Sequence, residues 1–598
     1  MSAGESALLL RPDVCYGPSS DGLYLLTHRG SVAFRGPSAH RLLVRLAPYL
    51  DGRFTLAELT AELAPERRQA VERLVEALAS RDVIRRVPRG EPVRSSPAVT
   101  MAGDERLVEA AAAMARRAGF RRIHVVPAAR IESRESLLDS GPDFVLHVTD
   151  RPEHAMIADR VCAGIGVRVS QLVITGGQAW IGPVGRIGDG APSWTDGWLR
   201  HLARHPAPDG GHASSRGAAL KIAMGQWIHR VLRSADGALG DEEAAHLTRF
   251  DFATLRSEPQ RVLPHPFTRA DGGPGVLPEG PAVDSEQFAR LVPRYMDPWT
   301  GLFGKPQERD HNQVPLRICE IEVSDPLRLL PRRPVAVGHG ADFRTARLRA
   351  ALKAFALYGA LTIDPRRLLD AGGRPLSGVD DPWKGLAAVR SGETTAYVPG
   401  SRLDDGEPRL VPARQVFAVL GGDGPDSPGT AAGFTWREAV GSALLGRCLQ
   451  VTLEDLASRP APGLLDPAAL PLDEHGARWR SALAAAGRAV TVHDITGPLD
   501  VPAAMCEEDG VITGRACGPA IESAVRDALE QALFHHQTRT RGQSPDAAAL
   551  PSGREAPVAD LIAALSRRGL IPVAVPLTHD QEARKVMPYV VHVVLAHD

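Results

Sequence analysis

Three stretches rich in proline, glycine and polar residues, 87–98, 206–216 and 269–281, interrupt this chain. At 598 residues it is longer than one hydrophobic core normally serves. The first and last stretches read as linkers and the middle one as a mobile loop within a second domain, giving domains over 1–88, 99–268 and 282–598. With 43% hydrophobic and 24% charged residues, the composition is that of a folded globular chain. No apolar run approaches the ~20 residues of a membrane span, and the first ten residues lack a secretory signal's features, so a cytoplasmic location is expected. A net charge of −1 gives no broad positive field, so nucleic acid is not an expected partner. Six cysteines (Cys15, Cys162, Cys319, Cys448, Cys506 and Cys517) contain no CxxC pair, which leaves neither a disulfide framework nor a zinc knuckle to read.

Local patterns set the fold class as multidomain α/β. Leu23–Thr27 and Ser31–Phe34 read as a hairpin across His28-Arg29-Gly30. Ser38 then starts a helix whose apolar face is Leu42, Leu43, Leu46 and Leu50, and Asp51-Gly52 ends it. Thr55 and Glu58 have capping-box spacing, and Pro65 opens a third helix with Val71, Leu74, Val75 and Leu78 on one face. This predicts an N-terminal winged helix-turn-helix. From 99 to 268, helix 106–118 alternates with strands 123–126, 144–149 and 167–175, and Gly176-Gly177 turns into a further strand at 178–181. Beyond 282, long helices at 344–361, 435–456 and 520–538 alternate with strands at 336–338, 490–494 and 589–595. No GxSxG elbow, HExxH helix or P-loop is present.

The opening domain resembles the PqqD-like recognition elements of ribosomal-peptide biosynthesis, which bind a leader peptide as an added strand. The resemblance implies that the Ser31–Arg35 backbone pairs with the leader while Val32, Phe34, Val71, Leu74 and Val75 line an apolar groove. Arg35, Arg67 and Arg68 would attract acidic leader side chains. The alternative reading of this shape, a DNA-binding regulator, is opposed by Glu66, Glu72 and Glu76 on the third helix.

GGQAWIGP at 176–183 and RVLPHP at 261–266 resemble the degenerate E1-like domain of azoline-forming cyclodehydratases. In that family each phrase is followed by a CxxC pair holding a structural zinc. Here PSWTDGW and FTRADG follow, without cysteine, so the resemblance implies no zinc and packing by Trp194, Trp198 and Phe267 in its place. Gly164-Ile165-Gly166 is too short for an ATP loop, and Cys162 has no activating neighbour in sequence.

MDPWTGLFG at 296–304 and the order of the long helices resemble a YcaO domain. Such enzymes phosphorylate a peptide amide oxygen after a Cys, Ser or Thr side chain attacks the carbonyl, which requires carboxylates for magnesium and basic groups for ATP. At the family's polar positions this chain carries Ala350, Ala354, Leu357 and Tyr358, then Gly446, Leu449 and Gln450; Glu530 and Gln537 match a family Glu and Gln. The C-terminal VVHVVLAHD lacks the proline-rich ending of azoline-forming members.

The resemblance implies a leader-binding partner subunit without catalytic, metal or cofactor residues of its own. It would present Cys, Ser or Thr of a precursor peptide to a separate YcaO chain that carries ATP and magnesium. Pairing through the YcaO-like domain, with itself or with that chain, and an azoline dehydrogenase are further implied partners. The alternative is a complete fused cyclodehydratase that binds ATP through Glu454, Asp455 and Glu530.

Overall fold

In a computed structural model of the chain the described residues are 6–11, 14–19, 21–27, 30–36, 38–88, 97–188, 191–207, 217–268, 280–309, 311–376, 381–456, 458–539 and 557–597. The His28-Arg29 turn and most of the three linker stretches lie outside them. The chain divides into two compact units, Met1–Gly197 with Ala207–Val262, and Trp198–Pro206 with Leu263–Asp598. The expected parts 1–88 and 99–268 lie in the first unit apart from 198–206 and 263–268, which belong to the second with 282–598.

The first unit begins with strands β1 (Ser6–Leu10), β2 (Cys15–Ser19), β3 (Gly22–Thr27) and β4 (Gly30–Arg35), then α1 (Ala39–Leu46), β5 (Asp51–Thr55), α2 (Leu56–Thr60), α3 (Pro65–Ala79) and β6 (Ile84–Pro88). They form two three-stranded sheets, ordered β2-β3-β4 and β5-β1-β6. The expected hairpin is β3–β4, with Leu23 opposite Phe34 and Leu25 opposite Val32. Thr55 and Glu58 form a complete capping box at α2, and Pro65 occupies the first turn of α3. Asp51-Gly52 does more than end a helix, because it opens β5. One core gathers Leu23, Leu25, Leu43, Leu50, Val71, Val75 and Leu78 beneath these elements.

The unit continues with β7 (Ala98–Gly103), α4 (Glu105–Arg117), β8 (Arg122–Pro127), α5 (Arg134–Leu138), β9 (Phe144–Thr149), α6 (Pro152–Cys162), β10 (Arg168–Thr175) and β11 (Gln178–Arg186). After α7 (Trp194–Leu202), which ends in the second unit, come α8 (Gly217–Ala235), α9 (Asp241–Ala244), β12 (His246–Asp251) and β13 (Ser257–Arg261). The seven strands form one sheet ordered β13-β12-β11-β10-β9-β7-β8, parallel from β8 to β10 and antiparallel beyond. All six residues of β7 and of β9 are buried, as expected for parallel strands covered on both faces. GGQAWIGP makes the β10–β11 hairpin, with Gly176 and Gly177 both at positive φ in the turn.

The second unit contains α10 (Ser285–Leu291), β14 (Arg317–Glu322), β15 (Val335–Gly340), α11 (Phe343–Leu361), α12 (Pro382–Ser391), β16 (Tyr397–Arg402), β17 (Pro408–Pro412), α13 (Ala413–Val416), β18 (Thr430–Ala432) and α14 (Trp436–Leu456). These are followed by β19 (Gly463–Leu465), α15 (Glu474–Ala485), β20 (Thr491–Asp494), β21 (Ala503–Glu508), β22 (Val511–Cys517), α16 (Ile521–Arg539), α17 (Val558–Ser566), β23 (Leu570–Pro576), α18 (Gln581–Val586) and β24 (Val590–His597). The larger sheets are β17-β16-β23-β24-β18 and β19-β20-β21-β22, with β14–β15 as a separate pair. Twelve of the nineteen residues of α11 are buried, so this helix is the centre of the core rather than one of its faces. The chain's last strand, β24, lies between β23 and β18 inside that core.

Candidate functional site

Strand β4 is an edge strand among the described residues, so its outer backbone is placed to pair with an added strand. Val32 and Phe34 are half-buried on the face that covers the core, and Arg35 is exposed. Arg81, two residues past α3, lies over the Phe34 ring at 4.5 Å, which sets the end of α3 beside this edge. The expected groove residues on α3 sit elsewhere. Val71 is 2% and Val75 0% exposed, and Leu74 is buried with them, so all three are core rather than groove. Arg67 is exposed, whereas Arg68 donates to the carbonyls of Thr60 and Ala61 and so caps α2. The accessible set is therefore Val32, Phe34, Arg35 and Arg67, with Arg81 added; the sequence pattern gave Arg81 no signal.

Helices α11 and α14 are where the YcaO resemblance expects carboxylates. Ala350 and Ala354 face the core, and a Cβ on Gly338 would come within 2.2 Å of the Ala346 oxygen and the Ala350 nitrogen. Strand β15 thus packs directly on the α11 backbone, which only small residues permit. Tyr358 is buried, and its hydroxyl donates to Asp580 while accepting from Arg200. Arg200 also donates to the carbonyls of Leu263 and Pro264, inside RVLPHP, and lies 2.8 Å from Asp580. Burial would lower the Arg200 pKa, but Asp580 and Tyr358 together more than offset it and hold the guanidinium charged. Burial raises the Tyr358 hydroxyl, so it stays protonated.

Three of the cations on α11, Arg347, Arg349 and Lys353, are paired within the chain, Arg347 with Glu308. Arg349 and His339 both engage Glu530, and Lys353 engages Asp426. Burial opposes the charge on Glu530, yet these partners pull its pKa down to about 2. On α14 the side chain of Arg447 donates to the Val593 carbonyl, to Gln450 and to His592, and Gln450 donates in turn to Glu454. Asp455 pairs with Arg568, and Gln537 bonds the backbone around Asn312 and Leu316. Magnesium takes oxygen ligands; of the carboxylates on these helices, Glu530 and Asp455 are paired with basic groups and Glu454 accepts from the Gln450 amide.

The stretches that follow GGQAWIGP and RVLPHP carry packed aromatic side chains. Trp194 and Trp198 are buried, Trp198 packs on His201, and Phe267 packs edge-on against His265 and Trp383. No cluster of three or more His, Cys, Asp or Glu suited to a metal occurs among the described residues. Cys162 is buried, and burial pushes its thiol up to about 12, which disfavours the thiolate. MDPWTGLFG forms a turn in which Asp297 accepts from the backbone of Trp299 and Thr300.

A polar chain missed in the sequence runs through the first unit. His147 Nδ1 bonds Gln171 Oε1 at 2.8 Å; Gln171 donates to Asp159, which accepts from the backbone and hydroxyl of Thr195, both at 2.7 Å. Burial pushes Asp159 up to about 6 and His147 down to about 4.

Residues 338–585 match the family model described as "YcaO cyclodehydratase, ATP-ad Mg2+-binding". No curated protein matches the chain. Among solved structures, a heterocyclase in complex with substrate and cofactor is 14% identical, covering 99% of this chain and 95% of its own at a TM-score of 0.58. The heterocyclase TruD is also 14% identical, covering 99% of this chain and 94% of its own at a TM-score of 0.53. No helix among the described residues is long and apolar enough to cross a membrane. The chain is thus a mixed α/β protein with a YcaO domain at 338–585, and along 99% of its length it has the fold of the heterocyclases.

Proposed function

We propose that this chain is the leader-binding, non-catalytic subunit of an azoline-forming cyclodehydratase. It captures a ribosomal precursor peptide at the β4 edge, and a separate YcaO chain carrying ATP and magnesium performs the cyclisation. The observation that carries this reading is the state of the YcaO helices, where Ala350, Ala354, Leu357 and Tyr358 are buried and Glu530 is held by Arg349 and His339. The fold persists while the groups that would hold the nucleotide are spent on one another. Tethering a leader raises the local concentration of the core Cys, Ser or Thr at the partner's active site, so moderate affinity suffices for several cyclisations.

The fused-enzyme alternative needs Glu454, Asp455 and Glu530 as magnesium ligands, and each already has a partner in the chain. Leader-dependent phosphate release from ATP separates the two readings. The expected result is none from this chain alone and release when the YcaO partner is added. Turnover by the purified chain alone overturns the subunit role. For peptide capture the discriminating variant is Val32→Asp, because Val71→Asp would place a charge in the core and report folding instead.

A further inference from the structure

The two ends of the seven-stranded sheet are built differently. At one end, β13 carries Pro259 and the Arg249–Glu258 ion pair, both of which discourage strand addition. At the other end, β8 has no proline before its last residue. Arg122, His124 and Val125 are exposed, Val125 at 43%, and Ile123 is half-buried. Among the described residues β8 pairs only with β7. An edge of six residues with an exposed valine at its middle is a template for another strand.

The charge around this edge is also distinctive. Residues 116–139 contain Arg116, Arg117, Arg121, Arg122, Arg130 and Arg134 against the acids Glu132, Glu135 and Asp139, and all six arginines are exposed, in a protein whose net charge is −1. Asp143 lies 3.8 Å from Arg122 and also accepts from the Ala98 nitrogen. A second copy of this edge would bring like charges together, whereas an acidic strand would meet a complementary field.

We infer that β8 is a strand-addition surface for an acidic, extended segment of the precursor peptide, separate from the segment held at β4. This rests on the precursor-capture reading. Main-chain bonds to β8 supply affinity, and Val125 with the surrounding arginines selects alternating apolar and acidic side chains.

The test uses the full chain and fluorescence anisotropy with a labelled, short alternating Glu–Val peptide, an alternating Lys–Val peptide and a single-stranded RNA. Variants are Val125→Pro, the paired reversal Arg116→Glu with Arg130→Glu, which leaves the strand intact, and Val32→Asp. The expected result is Glu–Val binding that weakens about tenfold or more in the paired reversal and in Val125→Pro, with Lys–Val weaker by a similar factor. Loss only in Val32→Asp overturns the β8 site while sparing capture at β4. Absence of Glu–Val binding in the wild type, or binding that neither β8 variant reduces, also overturns it. RNA binding tighter than Glu–Val binding and lost on charge reversal would assign the patch to nucleic acid and overturn the peptide reading. A dimer dissociated by Val125→Pro would assign the edge to a second copy, with the same effect.

Discussion

Tyr358 shows at the scale of one side chain what α11 builds inside the YcaO domain. Its hydroxyl completes a buried set with Arg200 and Asp580, so a carboxylate placed there would face the Asp580 carboxylate in a buried site. Tyr358→Glu is expected to destabilise the second unit by about 3–5 kcal/mol and to confer no ATPase activity, whereas Tyr358→Phe should lose only about 1–2 kcal/mol. Thermal unfolding with a phosphate-release assay checks both. Asp159 makes a separate prediction about pH. Its folded pKa, about 6, lies above its ordinary 3.8, so the folded state holds the proton more tightly and this residue's contribution to stability declines as pH rises through that window. The buried histidines His147, His579 and His592, with pKa values pushed down to about 4, 3 and 3, act in the opposite sense and lose stability on acidification. Comparison of wild type with Asp159→Asn isolates the aspartate. The Tm of wild type minus that of the variant should increase from about pH 7 to about pH 5, by an amount corresponding to no more than ~3 kcal/mol. A constant difference would mean that Asp159 does not titrate in this range.

Single elements carry the next prediction. The α2 box is built from a Thr55 hydroxyl accepting from the Glu58 nitrogen at 3.3 Å and a Glu58 carboxylate accepting from the Thr55 nitrogen at 2.9 Å. Thr55→Ala should remove about 1 kcal/mol from the first domain, read as a shift of its denaturant midpoint with unchanged slope. That element was legible because both partners lie within one turn of each other. Helices α3, α11, α14 and α16 were legible for the same reason, since a helix declares its apolar spacing locally. What the spacing could not say is how deep a face is buried, and so Val71 and Val75 appeared to line a groove when they fill the core. Pairing of β1 with both β5 and β6 was invisible as well, because those segments are short and their partners lie tens of residues away. The candidate site divides along the same line. Val32 and Phe34 follow from strand alternation, whereas the Arg200–Asp580 pair joins residues 380 positions apart and leaves no local trace.

For the whole molecule, the consequence lies in how the chain is cut. A fragment chosen from the linker pattern, beginning at 263 or later, would contain the YcaO match yet omit Trp198–Pro206, which belongs to the same compact unit. That short piece supplies Arg200 to Tyr358 and Asp580, and Arg204 to Glu322 and the Pro298 carbonyl; Arg333 reaches back to the Arg204 carbonyl. Without it, Asp580 is left as a buried carboxylate with no cation, a loss of about 3–5 kcal/mol when one partner of a buried pair is removed. Since whole domains are held by only ~5–15 kcal/mol, a 263–598 fragment should be poorly soluble or unfold well below the full chain. Rejoining residues 198–206 to 263–598 through a short flexible linker should restore a cooperative transition, and the same graft carrying Arg200→Ala should not. Equal unfolding temperatures for the three proteins would show that the buried pair is dispensable and that the YcaO-type domain stands on its larger cores alone.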